Sequence, residues 1–207
     1  ESGSDKELFK NDLVSVILLS YNSGERLQKV YADLSGLLGK AYITFELVII
    51  DDGSSDNSPE IALEMEKQHS NVFAFQLSRN FTSHYSIFAG LSVCRGVCAI
   101  PIPDDEQQPY ELIVDMYRLW QEGHKLIIPH RVKRDDGFIN DLYAKTFYRI
   151  INSFSDIKYP EGGADSFLID RELIDIINSR IHPINTSIIS EILRLGYSPV
   201  FYPYERT

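Results

Sequence analysis

Basic residues are scarce. The 207-residue chain sets 20 Lys plus Arg against 30 Asp plus Glu, a formal charge of −10, and an acidic surface gives phosphate backbones no footing, which excludes nucleic acid as the main partner. Long apolar runs are also missing. No window approaches the roughly 20 consecutive apolar residues that span a bilayer, and the opening ESGSDKELFKND has neither the basic nor the apolar part of a signal peptide. The chain as given therefore reads as soluble. Cysteine is limited to Cys94 and Cys98, too few for a disulfide framework and easiest to reconcile with a reducing compartment. A zinc site would need two more ligands, and His69, His84, His124, His130 and His182 show no paired metal spacing. Both cysteines thus read as small buried hydrophobes. Internal repeats, low-complexity tracts and Pro/Gly/Ser linkers are lacking as well, and a chain 43% hydrophobic and 24% charged is a single globular domain.

What is present is an alternation of short apolar runs and helical patterns. LVSVILLSYN (13–22) is a continuous run of branched side chains and predicts a strand buried on both faces. Leu27, Val30, Tyr31, Leu34, Leu37 and Leu38 follow at helical spacing. FELVII (45–50) is a second strand, and Ser58 before Pro59 starts a helix that turns Ile61, Ala62 and Met65 inward. The rhythm continues with a strand over 71–77, a helix from about Thr82 to Cys94, a strand over 97–102, a helix from Pro109 to Gln121 and a strand over 125–129. Alternating buried strands and crossover helices predict an α/β fold with a mainly parallel sheet. Pro101 cannot donate to a ladder and is expected at a strand end or a sheet edge. Beyond residue 130 come a basic loop, a helical stretch from about Phe138 to Phe154, GGADSFLIDREL, another helix and a strand at Val200–Tyr204. The division expected is an N-terminal extension over 1–12 and one domain over 13–207, with a nucleotide-binding half (13–123) and an acceptor-side half (124–207). The stop just after that last strand leads to the expectation that more sequence followed.

Ligands of open parallel sheets bind outside the carboxyl ends of the strands. The residues there are Ser20, Tyr21 and Asn22; Asp51, Asp52, Gly53 and Ser54; Ser78, Arg79 and Asn80; and Asp104, Asp105 and Glu106. Asp51–Asp52 alone also fits a simple turn, since Asp and Gly both favour turns. Three adjacent acids repel one another unless a cation compensates, and hard oxygen donors suit Mg2+ or Mn2+ with phosphate. His130, Arg131, Lys133 and Arg134 then cluster after the fifth strand. Such a cluster fits a solvated face, but in an acidic chain it also suits charge-assisted bonds to phosphate. Acids, metal and arginine together point to a nucleotide diphosphate.

The ordered motifs VSVILLSYN, FELVIIDDGSSDNS, LSRNFTSHYSIFAGL, PDDEQQPYELI, HRVKR, GGADSFLIDREL and PYER resemble the inverting family-2 glycosyltransferases, and among them the polyprenyl-phosphate sugar transferases. The resemblance implies the GT-A fold, a Rossmann-like three-layer sandwich. It implies transfer of a sugar with inversion from a UDP- or GDP-sugar to a lipid phosphate or a growing cell-surface glycan, with Mg2+ or Mn2+ as cofactor. By the same resemblance Asp52 would bond the base, with Tyr21, Asn22 and Asp51 shaping the pocket. Ser20, Arg79 and Asp104 would complete the nucleotide site. Asp105 would be the metal ligand, and Arg131 and Arg134 would approach the diphosphate. Gln107, His130 and Lys133 would contact acceptor or phosphate. Asp165 would act on the acceptor side as base or orienting group, or else cap a helix beginning near Ile169. The implied location is the cytoplasmic face of a membrane, reached through segments outside this chain.

The pattern is not followed everywhere. Pro103 stands where the family's first metal-site acid stands, and Thr82-Ser83-His84 replaces the usual Gly-Lys-Glu. A non-catalytic nucleotide-sugar-binding subunit of a membrane glycosylation complex is the rival from another class. A nucleotidyltransferase would want a glycine-rich loop after the first strand, and SYNSGERL is a poor match. Homo-oligomerisation through Tyr197, Tyr202 and Tyr204, or plain packing of those rings, both stay open.

Overall fold

The structure is a computed structural model and describes residues 12–105, 108–131, 166–184 and 186–204. It consists of two compact units that divide between Asp104 and Asp105. In the first, β1 (Val14–Ser20), β2 (Phe45–Asp51), β3 (Val72–Gln76) and β4 (Cys98–Pro103) alternate with α1 (Arg26–Lys40), α2 (Ser58–Gln68) and α3 (Ser83–Val93). Every pairing is parallel, in the order β3-β2-β1-β4, as the crossover pattern predicts. Val14, Val16, Ile17 and Leu18 are all buried, so both faces of β1 are covered. Each such side chain contributes about 1.5–3 kcal/mol of burial. Gly90 lets α3 sit directly on β1, because a Cβ there would lie 2.3 Å from Cγ2 of Ile17.

Local details differ from the expectations by a few residues, with identifiable reasons. Helix α2 begins at Ser58, with Asn57 in the cap position. The Asp56 carboxylate, two residues earlier, accepts from both the N–H (3.0 Å) and the hydroxyl of Ser58. Pro101 lies inside β4, opposite Ile17, and not at a strand end. The N–H of Val97 donates to Leu13 of the β1 segment at 2.8 Å, and strand N–H groups alternate in direction. The nitrogens of Pro101 and Pro103 therefore also face β1 and withhold two donors there. Burial of Ile100 and Ile102 keeps the strand in register. Cys94 and Cys98 are both buried.

The second unit contains α4 (Glu111–Gln121), β5 (Leu126–Arg131), β6 (Leu168–Asp170), α5 (Arg171–Arg180), α6 (Ile188–Arg194) and β7 (Val200–Tyr204). Strand β5 pairs antiparallel with β6 and parallel with β7. Leu112, Ile113, Met116 and Tyr117 line the buried face of α4, and Trp120 Nε1 donates to Asp170 at 2.8 Å. Ile169 belongs to a strand, so the helix expected near it starts two residues later. Its cap is Asp170, which accepts from the N–H of Glu172 at 3.0 Å. An Asp with extended backbone just before the first turn is the usual N-cap. Tyr204 is buried, the Tyr202 hydroxyl donates to Asp115, and the Tyr197 hydroxyl donates to Glu172. The helix expected over 138–154 lies outside the described residues. Among the described residues no helix is long and apolar enough to cross a membrane.

Candidate functional site

Parallel register brings the carboxyl ends of the first unit's strands to one side. Ser20 stands beside Asp51, Asp51 beside Gln76, and Leu19 beside Pro103. The turns that follow these strands are tied together by polar side chains.

The turn after β2 does so through two buried acids. Asp51 accepts from the N–H of Ser54 at 2.9 Å and from its hydroxyl at 2.5 Å, which is the local turn chemistry expected of Asp-Asp-Gly-Ser. Asp52 points elsewhere: one oxygen accepts from the N–H of Phe81 at 2.7 Å and the other from that of Thr82 at 2.8 Å. Between Ser54 and these bonds Gly53 adopts φ +69°, and a Cβ on it would sit 2.4 Å from the carbonyl carbon of Arg79. The Asp52-Gly53 pair thus clamps the β3–α3 loop from below. Asn22, itself at φ +50°, joins the same turn, with its N–H donating to Ser54 Oγ at 2.8 Å and its side-chain oxygen accepting from Ser55 N–H at 2.9 Å.

The turn after β1 reaches β4. Ser23 and Gly24 each donate an N–H to Ser58 Oγ at 2.8 Å, so the start of α2 braces the start of α1. That serine hydroxyl also donates to Asp56, and this bond holds the Asp56 carboxyl below the usual carboxylate range. Ser20 and Ser23 share a hydroxyl contact at 2.9 Å, and the Ser23 hydroxyl donates onward to Asp104. Arg26 completes the set. Its Nη2 lies 3.1 Å from Oδ2 of Asp104 and 3.1 Å from the Asn22 carbonyl, while its Nε donates to the Ser23 carbonyl at 3.3 Å.

The strand-end residues expected from the sequence therefore divide. Ser20, Asn22, Asp51, Asp52 and Asp104 join one hydrogen-bonded group of turns. Tyr21 is half exposed beside them, and Arg79 lays its guanidinium over the Phe81 ring at 4.1 Å. Asp105 is exposed. In the second unit His130 and Arg131 end β5, and the buried Nδ1 of His130 has no hydrogen-bond partner among the described residues. Gln107, Lys133, Arg134 and Asp165 lie outside the described residues. The sequence reading passed over Ser23 and Arg26, and took Ser58 only as a helix start. An arginine in the first turn after a strand that faces acids was the available signal for Arg26.

No group of three His, Cys, Asp or Glu side chains that could cage a metal occurs among the described residues. The donor chemistry fits a lighter grip. Asp104 has one oxygen committed to Ser23 and Arg26, and Asp105 is exposed next to it in sequence. One or two carboxylates with waters and substrate phosphates are what Mg2+ ordinarily takes.

An α/β unit with parallel strands and acids gathered beyond their carboxyl ends belongs to the class of open-sheet proteins whose ligands bind at that edge. Residues 15–176 match the family described as Glycosyl transferase family 2, and the chain belongs to that family. An uncharacterized glycosyltransferase of Synechocystis sp. is 28% identical over 195 residues, which cover 93% of this chain and 61% of the relative. The bactoprenol glucosyl transferase of Shigella phage SfV is 29% identical over 165 residues, 79% of this chain and 54% of its own length. The chain thus spans little more than half the length of these curated relatives. Among solved structures, mannosyl-3-phosphoglycerate synthase from Rubrobacter xylanophilus superposes with a TM-score of 0.65 at 16% identity, covering 98% of this chain and 67% of that one. The mannosyltransferase PcManGT from Pyrobaculum calidifontis, solved with GDP-Man and Mn2+, gives 0.62 at 16% identity, covering 95% and 56%. Glucosyl-3-phosphoglycerate synthase from Mycobacterium tuberculosis, solved with Mn2+, UDP and phosphoglyceric acid, gives 0.59 at 17% identity, covering 95% and 71%. The shared fold is GT-A, mixed α/β with a mainly parallel sheet.

Proposed function

We propose that this chain is the donor-binding part of an inverting glycosyltransferase that moves a sugar from a UDP- or GDP-sugar to a lipid phosphate. The observation that carries the reading is the joining of four strand ends in a chain of this family, with Asn22 tying the turn after β1 to that after β2, Asp52 tying the latter to the loop after β3, and Asp104 tying the end of β4 to the turn after β1. The solved proteins with GDP-Man and Mn2+, and with UDP and Mn2+, support a nucleotide-diphosphate donor with a divalent cation. The bactoprenol glucosyl transferase relatives support a lipid-phosphate acceptor and work at a membrane surface.

In this reading Tyr21 and Asn22 border the base and ribose, and Asp52 acts on the base from a position fixed by the β3–α3 loop. A divalent cation held by Asp105 would offset charge on the leaving diphosphate, with Asp104 part of the nucleotide site. Arg131 and Arg134 add cationic donors, an electrostatic contribution worth several kcal/mol where charge develops. A lipid phosphate attacks already ionised, so no general base is required. Asp165 then orients the acceptor or the basic loop, with Gln107, His130 and Lys133 as further contacts.

Calorimetric titration with UDP, GDP and CMP, each with and without Mn2+, tests the reading. Manganese-dependent binding of UDP or GDP that is lost in Asp105→Ala is expected. A folded chain that binds none of them has no donor site, and the proposal then fails in favour of a non-catalytic subunit.

A further inference from the structure

Arg26 belongs to the first turn of α1 and makes three separate polar contacts around the end of β1. Its guanidinium accepts no hydrogen bond and offers a rigid fork of donors. Here the fork spans the Ser23 carbonyl, the Asn22 carbonyl and Oδ2 of Asp104. Asp104 is 15% exposed and Arg26 50% exposed, so the pair is reachable by solvent, and an incoming ion can compete for it. The Ser23 hydroxyl donates to the same carboxylate oxygen. The charge of Asp104 is therefore already compensated.

We infer that Arg26 is a positioning residue that, through Asp104, makes cation binding at the end of β4 conditional on the diphosphate; this rests on the donor-site reading above. With its charge offset by Arg26, Asp104 adds little attraction for a divalent ion at the end of β4. A nucleotide diphosphate brings its own anionic oxygens, completes the ion's ligands and gives the guanidinium a second anion to face. Cation and nucleotide then favour each other, and linkage requires the coupling to be reciprocal.

The signs distinguish this from a purely structural role. Removing one positive charge beside an acid strengthens cation binding and weakens anion binding, whereas a damaged turn weakens both. The test uses the full chain and calorimetry with Mn2+ alone, with UDP or GDP alone, and with each in the presence of the other. Arg26→Gln is expected to bind Mn2+ alone about three- to tenfold more tightly and nucleotide alone more weakly, so that the coupling between them shrinks. Arg26→Lys keeps the charge but not the fork, so its Mn2+ affinity should lie closer to wild type than that of Arg26→Gln. In an Asp104→Asn background the Arg26→Gln substitution should change Mn2+ affinity little, because the two residues act as one unit. Nucleotide binding with an unshifted or weakened Mn2+ affinity in folded Arg26→Gln overturns the coupling alone. No nucleotide binding in any arm overturns the donor reading and the coupling with it.

Discussion

Asp52 holds Thr82 by its backbone: the carboxylate accepts the Thr82 N–H at 2.8 Å while its other oxygen accepts that of Phe81 at 2.7 Å. Thr82 needs that restraint, because it sits at φ +84°, ψ 157°, a region that side-chain-bearing residues rarely enter. The clamp explains how a buried acid at the end of β2 fixes the loop that leads into α3. It also links the proposed donor site to the fold, since loosening Asp52 loosens the loop that carries Arg79 and Phe81.

Asp52→Asn should therefore cost stability as well as nucleotide binding. An amide presents one acceptor and one donor where two backbone donors converge, so at least one charge-assisted bond is lost at a buried position. A loss of about 2 kcal/mol is expected, read as a lower urea midpoint with unchanged slope. An unshifted midpoint would mean that the two bonds are not made in solution.

Thr82→Gly should have the opposite sign. Glycine adopts this backbone without steric cost, and the relief outweighs its greater entropy in the unfolded chain. Thr82→Ala keeps the strain, so the glycine variant should exceed the alanine variant by about 1–2 kcal/mol in denaturant unfolding. Equal stabilities would remove the strain argument.

How far the residues alone reach is visible in particular elements. The crossover pattern of LVSVILLSYN, FELVII and VCAIPI announced the parallel strands, because apolar runs bounded by polar turns have few other solutions. The four strand-end clusters followed from topology. Hidden were the partners: nothing local in Asp52 tells that it will meet residues 29 and 30 positions later, or in Arg26 that it will meet Asp104. Those contacts depend on which strands become neighbours: β3 beside β2 brings the loop of Phe81 and Thr82 to Asp52, and β4 beside β1 brings Asp104 to Arg26. The start of α5 was misjudged for a similar reason, since Leu168–Asp170 takes the strand conformation through pairing with β5.

The surface trio of the second unit should give a pH signature. The Lys125 ammonium, then the Tyr197 hydroxyl, hold the Glu172 carboxyl below its ordinary range, and Glu172 in turn raises Lys125 and Tyr197. A lowered acid stabilises the fold above its unfolded-state value, and that contribution disappears as pH falls through its folded-state value. The raised lysine contributes below its unfolded-state value of about 10.5 and loses the contribution as pH rises further. The melting temperature of Glu172→Gln should thus fall below wild type between these limits and converge on it at acid pH. Because all three groups are exposed, added salt should shrink the difference. A gap that persists at pH 2 would assign it to packing.

At the opposite ends of the strands, Glu46 offers the strongest test of buried charge. Its side chain is 1% exposed and accepts from Ser15 Oγ at 2.6 Å, from the Arg95 N–H at 2.6 Å and from Arg95 Nε at 2.8 Å. The guanidinium of Arg95 lies outside, half exposed, over the Phe73 ring at 3.9 Å. Arg95→Ala removes one charged donor and the ring contact but leaves two bonds to the carboxylate, so a loss of about 2 kcal/mol is expected. Glu46→Ala removes the acceptor from three donors and opens a cavity beside β1, and should cost about 3–4 kcal/mol. The double variant should cost less than the two single losses added, because both remove the same bond. Denaturant unfolding of the four proteins measures the cycle, and strict additivity would mean that Glu46 and Arg95 stabilise the fold independently.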